Sequence, residues 1–436
     1  MREHPGQPLP SRSHMMAAPS DGLDKAMDVY VGSRMPLLNN VVKAHCGARP
    51  LQGINLLLIQ HQLLDGLAQV EAFRNLGLDL RDLYWIDIPY TSFELVRAAI
   101  QKLGVPSENF TVHDFSPLAT YSSYQVTRVR TWLAKHWDTR GQRWVVLDDG
   151  AYFLRAAATQ KIPLGRVAVV EQTQRGMNNL REGEDTRTLL ERLPVINVAE
   201  SEPKKRIEPR LIARSVVDAL EEALDRRLPL KPDDHWLILG YGSIGKAVTT
   251  ELIDRFHHPP HRIHVFDPDP TRQAEAKDFG HPRWRRDPNM LFAMVIGCSG
   301  RPSFLPTDTP YLRDGAFVVS ASSGSIELSR DEFIKKPTRT APAGESGQVK
   351  LLNVSAVKSL HTDLVFDVGD RTFTMVNGGF PMNFDGRRPD RIPPEQVQLT
   401  AALMVYGAIQ AATANNARGI IPLDARFQRT VLDYPL

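Results

Sequence analysis

Trp236-Leu237-Ile238-Leu239-Gly240-Tyr241-Gly242-Ser243-Ile244-Gly245-Lys246 decides the fold. Its first four residues are an unbroken apolar run, as in a strand buried on both faces of a parallel sheet. Three glycines follow in the G-x-G-x-x-G spacing, and Ala247, Val248, Leu252 and Ile253 then recur with helical periodicity. The spacing assigns the glycines three tasks: a tight turn, close approach of backbone to a pyrophosphate, and close packing of helix on strand. Ser243 and Ile244 open a helix whose unpaired N–H groups face a phosphate. A second apolar run, Ile263 to Phe266, ends at Asp267. That is about 22 residues beyond the last glycine, where a carboxylate accepts hydrogen bonds from a ribose diol. The expected cofactor is NAD, because Asp267 would repel a 2′-phosphate. Arg272 lies near enough in sequence to keep NADP open.

The same alternation extends both ways along the chain. Upstream, apolar strands are expected at Ile54 to Ile59, Leu83 to Ile88, Trp144 to Leu147 and Val167 to Val170. Helical patterns begin at Asp24 and cover Leu63 to Leu76, Ser92 to Leu103, Val126 to Trp137 and Arg210 to Leu224. Strands alternating with helices predict a parallel α/β sheet before the glycine turn is reached. Downstream, strands at Ala293 to Ile296 and Phe317 to Ser320 end in small residues, among them Ser299, which leave room for a cofactor. Leu364 to Val376 reads as short strands leading to Asn377-Gly378-Gly379, and Gln396 to Ala412 as a long apolar helix.

Composition excludes several classes. The chain has 436 residues, a net charge of +3 and two cysteines, Cys46 and Cys298. That charge is too small to argue for nucleic acid or a membrane surface. The two cysteines are far apart, so neither a disulfide framework nor a metal site is expected, and a reducing, cytoplasmic setting fits. No apolar run reaches the roughly 18 residues of a membrane span. Residues 1–22, with Pro5, Pro8, Pro10 and Pro19, read as a flexible tail or as translation from an early start codon.

Six segments, in order, resemble the adenosylhomocysteinase family. They are Arg49-Pro50-Leu51-Gln52-Gly53 with Ile59-Gln60-His61, Asp65 and Glu71; Val146 to Gly150; Val170 to Gly176; Ile196-Asn197-Val198 with Ser201 and Lys204; Gly240 to Lys246 with Asp267; and Val376-Asn377 with Gly379 and Met382. The match runs from about residue 24 to 415 and is carried by the order of the pieces. It implies two Rossmann-like parallel-sheet domains, one for substrate and one for NAD, with the C-terminal helix returning to the first. The implied boundaries are 23–208 and 376–420 for the substrate domain, 209–375 for the NAD domain, and 421–436 for a C-terminal tail.

The resemblance also implies chemistry. Tightly held NAD oxidises a sugar hydroxyl, the neighbouring C–H becomes acidic, and a leaving group departs from the next carbon. Carried over by position, His61, Asp149 (or Asp148), Lys204 and Glu208 are catalytic candidates. Thr173 and Asn377 join Gly240, Gly242, Ser243, Ile244, Gly245, Asp267 and Ser299 at the cofactor. Asp65 and Gln172 face the substrate. Gln172 replaces a family carboxylate that grips the sugar diol, Leu63 replaces an adenine-contacting Thr, and Gln174 and Arg175 replace Thr. The groups for hydride and proton transfer are mostly kept, and those that read adenosine are mostly changed. The expected enzyme is therefore a divergent NAD-holding hydrolase or lyase acting on a small nucleoside-like molecule, as a homo-oligomer. S-adenosylhomocysteine hydrolysis proper, a nucleoside dehydratase, and a catalytically inactive NAD-binding regulator or scaffold stand as alternatives.

Overall fold

The computed structural model describes residues 27–30, 34–137, 141, 143–160, 164–224, 231, 233–335, 338–339, 348–414 and 417–435. The N-terminal tail and the helical start at Asp24 lie outside the described residues. Two α/β sheets form the frame.

The first sheet begins with β1 (Ile54–Gln60), β2 (Leu83–Asp87), β3 (Phe110–Thr111), β4 (Arg143–Asp148), β5 (Val167–Glu171) and β6 (Pro194–Asn197). The second holds β7 (Trp236–Leu239), β8 (Ile263–Phe266), β9 (Phe292–Gly297), β10 (Leu312–Ser320), β11 (Thr338–Arg339), β12 (Gln348–Leu351), β13 (Leu364–Val368) and β14 (Thr372–Met375). The chain then returns, and β15 (Gly419–Pro422) adds to the first sheet beside β6. The first order is β15-β6-β5-β4-β1-β2-β3, parallel throughout. The second is β11-β12-β13-β14-β10-β9-β7-β8.

Burial explains the apolar runs. Every residue of β5 and of β7 is buried, because helices cover both faces of each sheet. The two parallel-sheet units expected from the sequence are present, and the second carries an antiparallel addition. β11 to β14 form an antiparallel edge. Between β13 and β14 only residues 369–371 are available, too few for the crossover a parallel pair requires.

The helix Pro394–Thr413 is the return element. It packs on β4, β5 and β6 and on the helices Pro36–His45 and Asp65–Asn75. Sandwiched between a sheet face and outer helices, it is apolar nearly all round. Residues 421–436, expected as a tail, instead hold the end of β15 and a helix, Ala425–Leu432, that buries Val431. The apolar run there is too short to stand out without its partner strand β6. Among the described residues no helix is long and apolar enough to cross a membrane.

Candidate functional site

The parallel strands of each sheet reverse their order once. In the first, β1 lies between β2 and β4, so the reversal falls between the ends of β1 and β4. In the second, β7 lies between β8 and β9. Ligands of such sheets bind beyond the strand carboxyl ends at these reversals, where loops diverge and leave a crevice. Here both open onto one cleft of about 730 Å³, lined by His61 and Asp149 from the first sheet and by Gly240 and Cys298 from the second.

Thirteen of the residues singled out from sequence line this cleft: His61, Asp65, Asp149, Gln172, Thr173, Lys204, Glu208, Gly240, Gly242, Ser243, Ile244, Asp267 and Ser299. Gly245 and Asn377 do not. A Cβ on Gly245 would lie 2.0 Å from the Gly240 carbonyl oxygen, so this glycine seats the helix Ser243–Phe256 on its strand. At Gly242 a Cβ would meet only Arg272, at 3.7 Å, leaving the turn open on its cleft side. Asn377 is 2% exposed. Its amide N–H groups donate to the carbonyls of Pro381 at 2.8 Å and Phe384 at 3.2 Å, and its oxygen faces His361 Nδ1 at 2.8 Å. It stands behind the wall and holds the loop that carries Phe384 into the cleft.

Two acid–base pairs face the cleft. His61 follows β1 directly, and its Nε2 lies 3.1 Å from Asp149 Oδ2. Its Nδ1 is 2.6 Å from the Thr91 hydroxyl, so both ring nitrogens are engaged. Phe384 packs on the imidazole with ring centres 4.5 Å apart. Burial alone would raise the Asp149 carboxyl; the charge and hydrogen bond of His61, with Gln172, outweigh it and hold it below its ordinary value. Gln172 Nε2 donates to the same Asp149 oxygen at 2.5 Å.

The second pair is Lys204 and Glu208. Lys204 Nζ donates to Glu208 Oε1 at 2.7 Å, and their side chains are only 10% and 14% exposed. Thr400, from the returning helix, donates to the same oxygen at 3.0 Å. On a solvated helix this i, i+4 pair would be ordinary. Here it is sheltered and held from two parts of the chain.

Asp148 has a different part. Its carboxylate accepts the backbone N–H groups of Tyr152 at 3.1 Å and Phe153 at 2.7 Å. It caps the helix Tyr152–Gln160, and burial pushes it up to about 7. Thr173 caps the helix Gln174–Glu182 by accepting from Gly176 N at 3.0 Å. Its hydroxyl donates to the buried Glu171 at 2.7 Å. Asp65 accepts from Gln69 Nε2 at 2.9 Å, and burial raises its carboxyl.

Asp267 is 3% exposed and held by its own turn. Oδ2 accepts from Tyr241 N at 2.6 Å and Oδ1 from Asp269 N at 2.9 Å. Arg272 approaches it to 3.7 Å. Ser299 donates through its backbone N–H and its hydroxyl to Glu327, at 3.0 and 2.8 Å.

Sequence reasoning missed Glu327, which is fully buried beneath the loop after β9 and also accepts from Gly300 N at 2.6 Å. It also missed Thr91, Phe384 and Thr400. None of these four belongs to a local motif, and each acts on a residue at least 24 positions away. Among the described residues no cluster of three or more His, Cys, Asp or Glu could hold a metal.

No protein-family model matches the chain. Over 373 residues, 84% of the chain, it is 26% identical to an uncharacterized protein of Mycobacterium tuberculosis, described in two strains. The match spans 66% of that relative, so the chain covers slightly less than two thirds of its length. Over 228 residues it is 27% identical to the adenosylhomocysteinase of Acinetobacter baylyi, covering half of this chain and 44% of that enzyme. Among solved structures it is similar to a dipicolinate synthase subunit from Bacillus halodurans, at a TM-score of 0.32 and 8% identity over 64% of this chain and 85% of that one. A D-lactate dehydrogenase from Treponema pallidum gives 0.27 and 12%, over 48% and 71%. The chain thus has a distant likeness to adenosylhomocysteinase over half its length.

Proposed function

We propose that this chain is an enzyme that holds NAD, oxidises a sugar-type hydroxyl transiently, and so drives elimination on a nucleoside-like molecule. One observation carries the reading: the pairs His61–Asp149 and Lys204–Glu208 line the same cleft as the glycine turn.

The turn fits the dinucleotide. Gly242 leaves space at the helix N-terminus for a pyrophosphate, and Asp267 stands at the end of β8 for a ribose. Bound there, NAD supplies a hydride acceptor that is restored within the cycle. Lys204 takes the proton of the hydroxyl at its Nζ as the neutral amine, having passed its own proton to Glu208, and Glu208 with Thr400 fixes where that nitrogen points. The hydrogen-bonded pair His61–Asp149 moves the second proton, between the acidified carbon and the leaving group. Thr91 and Asp149 orient the imidazole ring. Phe384 and Tyr90 pack against the imidazole and exclude water from it.

Leu63 and Gln172 argue against S-adenosylhomocysteine itself. A site shaped by hydrogen bonds to one partner rejects another whose polar groups it leaves unpaired. A purely structural NAD-binding role is disfavoured by the cost of sheltering two ionisable pairs at the cleft.

The test starts with the nucleotide released when the purified protein is denatured. NAD is expected, and release of none sinks the cofactor assignment. Intact protein is then given a panel of nucleosides while NADH absorbance is followed. Lys204→Ala should retain NAD and lose the substrate-dependent signal, and an unchanged signal removes Lys204 from the chemistry.

A further inference from the structure

Arg175 lines the cleft beside Gln172, is 8% exposed, and has no part in the proton and hydride transfers just described. Its Nη2 donates to the Tyr152 hydroxyl and its Nη1 to the Ser323 carbonyl at 3.1 Å. These bonds use two of the five N–H groups of a guanidinium, which cannot shed its charge. No carboxylate among the described residues lies within ion-pair distance of it. Three other deeply buried arginines differ on this point. Arg128 is paired with Asp87, Arg391 with Asp385 at 2.5 Å, and Arg330 with Asp331 at 3.5 Å. The Asp149 carboxylate acts on Arg175 through space but makes no contact with it; a buried charge with no counter-charge in contact is costly, and the cost falls when an anion arrives.

The position is also built. Gly150 and Gly324 flank the guanidinium, and a Cβ on either would collide with it, at 2.8 Å from Nη2 and 1.7 Å from Nη1. Both glycines have positive φ, so other residues would be strained there as well. The Tyr152 ring supports the cation from one face, 5.2 Å from its carbon to the ring centre. Gln172, three residues earlier in the chain, is neutral and donates to Asp149, the carboxylate whose low value the Arg175 charge also supports.

We infer that Arg175 is an anion-binding group of the cleft, and that the substrate carries an oxyanion, a phosphate or a carboxylate, that lands beside Gln172. This deepens the nucleoside reading and rests on it for the identity of the rest of the substrate. The anion site itself can be tested without that reading.

Binding of inorganic phosphate and of acetate to the whole protein is measured by calorimetry, for wild type, Arg175→Gln and Arg175→Lys. The difference between variants isolates this site from any phosphate held at the glycine turn. The expected result is a loss of about tenfold or more in affinity for at least one anion in Arg175→Gln, with partial retention in Arg175→Lys. The stronger of the two anions identifies the group. Equal anion binding in wild type and Arg175→Gln overturns the proposal. In a second arm, wild-type protein is treated with phenylglyoxal with and without phosphate or acetate, and modification of Arg175 is read by mass spectrometry. Protection by an anion supports the site even where Arg175→Gln does not fold, and modification unaffected by either anion overturns it. Adenosine and its 5′-monophosphate are then compared. Failure of both to bind while the ion arm succeeds strikes the nucleoside reading and leaves the anion site standing.

Discussion

Asp267 shows how one carboxylate can hold its own turn and still meet a ligand. It accepts from Tyr241 N and from Asp269 N, one bond to each oxygen. Each ionised oxygen can accept a second hydrogen bond, so the turn orients the group without exhausting it. Asp267→Ala should therefore weaken dinucleotide binding in two ways. Loss of the turn bond acts on NAD and NADP alike. Loss of the ribose acceptor acts on NAD alone, and removes the repulsion of a 2′-phosphate that Arg272 would then meet. The NAD-to-NADP affinity ratio should fall about tenfold or more, a charged hydrogen bond's worth. Titration of nucleotide-free protein measures it, and an unchanged ratio removes Asp267 from the ribose.

The strand–turn–helix from Trp236 to Phe256 is the element on which the proposed NAD site depends. Its third glycine is sterically demanded. Ala at 245 would put a methyl 2.0 Å from the Gly240 carbonyl oxygen, so helix or turn must move. Overpacking of this kind costs about 1–3 kcal/mol. Gly245→Ala should lower the urea midpoint accordingly and weaken NAD binding as well, because the displaced element is the one that presents the N–H groups. A wild-type midpoint would mean that the helix does not seat on the strand this closely.

At the scale of the whole molecule, stability should depend on pH in two opposing ways. Burial lowers His264 to about 4, and its Nε2 faces His235 Nδ1 at 2.9 Å. The unfolded chain protonates this imidazole near 6.5, its ordinary value, whereas the folded chain resists until about 4. Stability from the neutral ring is therefore complete above about 6.5 and is lost as the pH falls through this window. Asp148, raised to about 7, runs the other way: the folded state takes its proton first, so its contribution is lost as the pH rises. A simple pH scan mixes the two. The stability difference between wild type and His264→Phe isolates the first, since Asp148 is common to both. That difference should shift against wild type between pH 7 and pH 4.5 in urea unfolding. A constant difference would mean that His264 charges as readily folded as unfolded.

The sequence by itself determined the strand–glycine–helix unit, most of the other apolar strands, and thirteen of the cleft-lining residues. The reason is physical: buried parallel strands need continuous apolar runs, and a turn that approaches phosphate and strand alike tolerates only glycine at fixed spacings. The strand Pro194–Asn197 and the C-terminal strand β15 were not legible as such, because each holds only two branched apolar residues between Pro, Asn or Gly and becomes a strand only beside its partner. Only the tertiary structure decided that Asp148 caps a helix while Asp149 meets His61, since adjacent residues at a strand end point to opposite sides. It also decided that Asn377 supports a loop behind the cleft, and it brought Thr91, Glu327, Phe384 and Thr400 to their partners. Arg175 has the charge of any surface arginine in sequence. Its meaning comes from burial without a carboxylate in contact, which depends on chain segments about 150 residues apart meeting across the cleft.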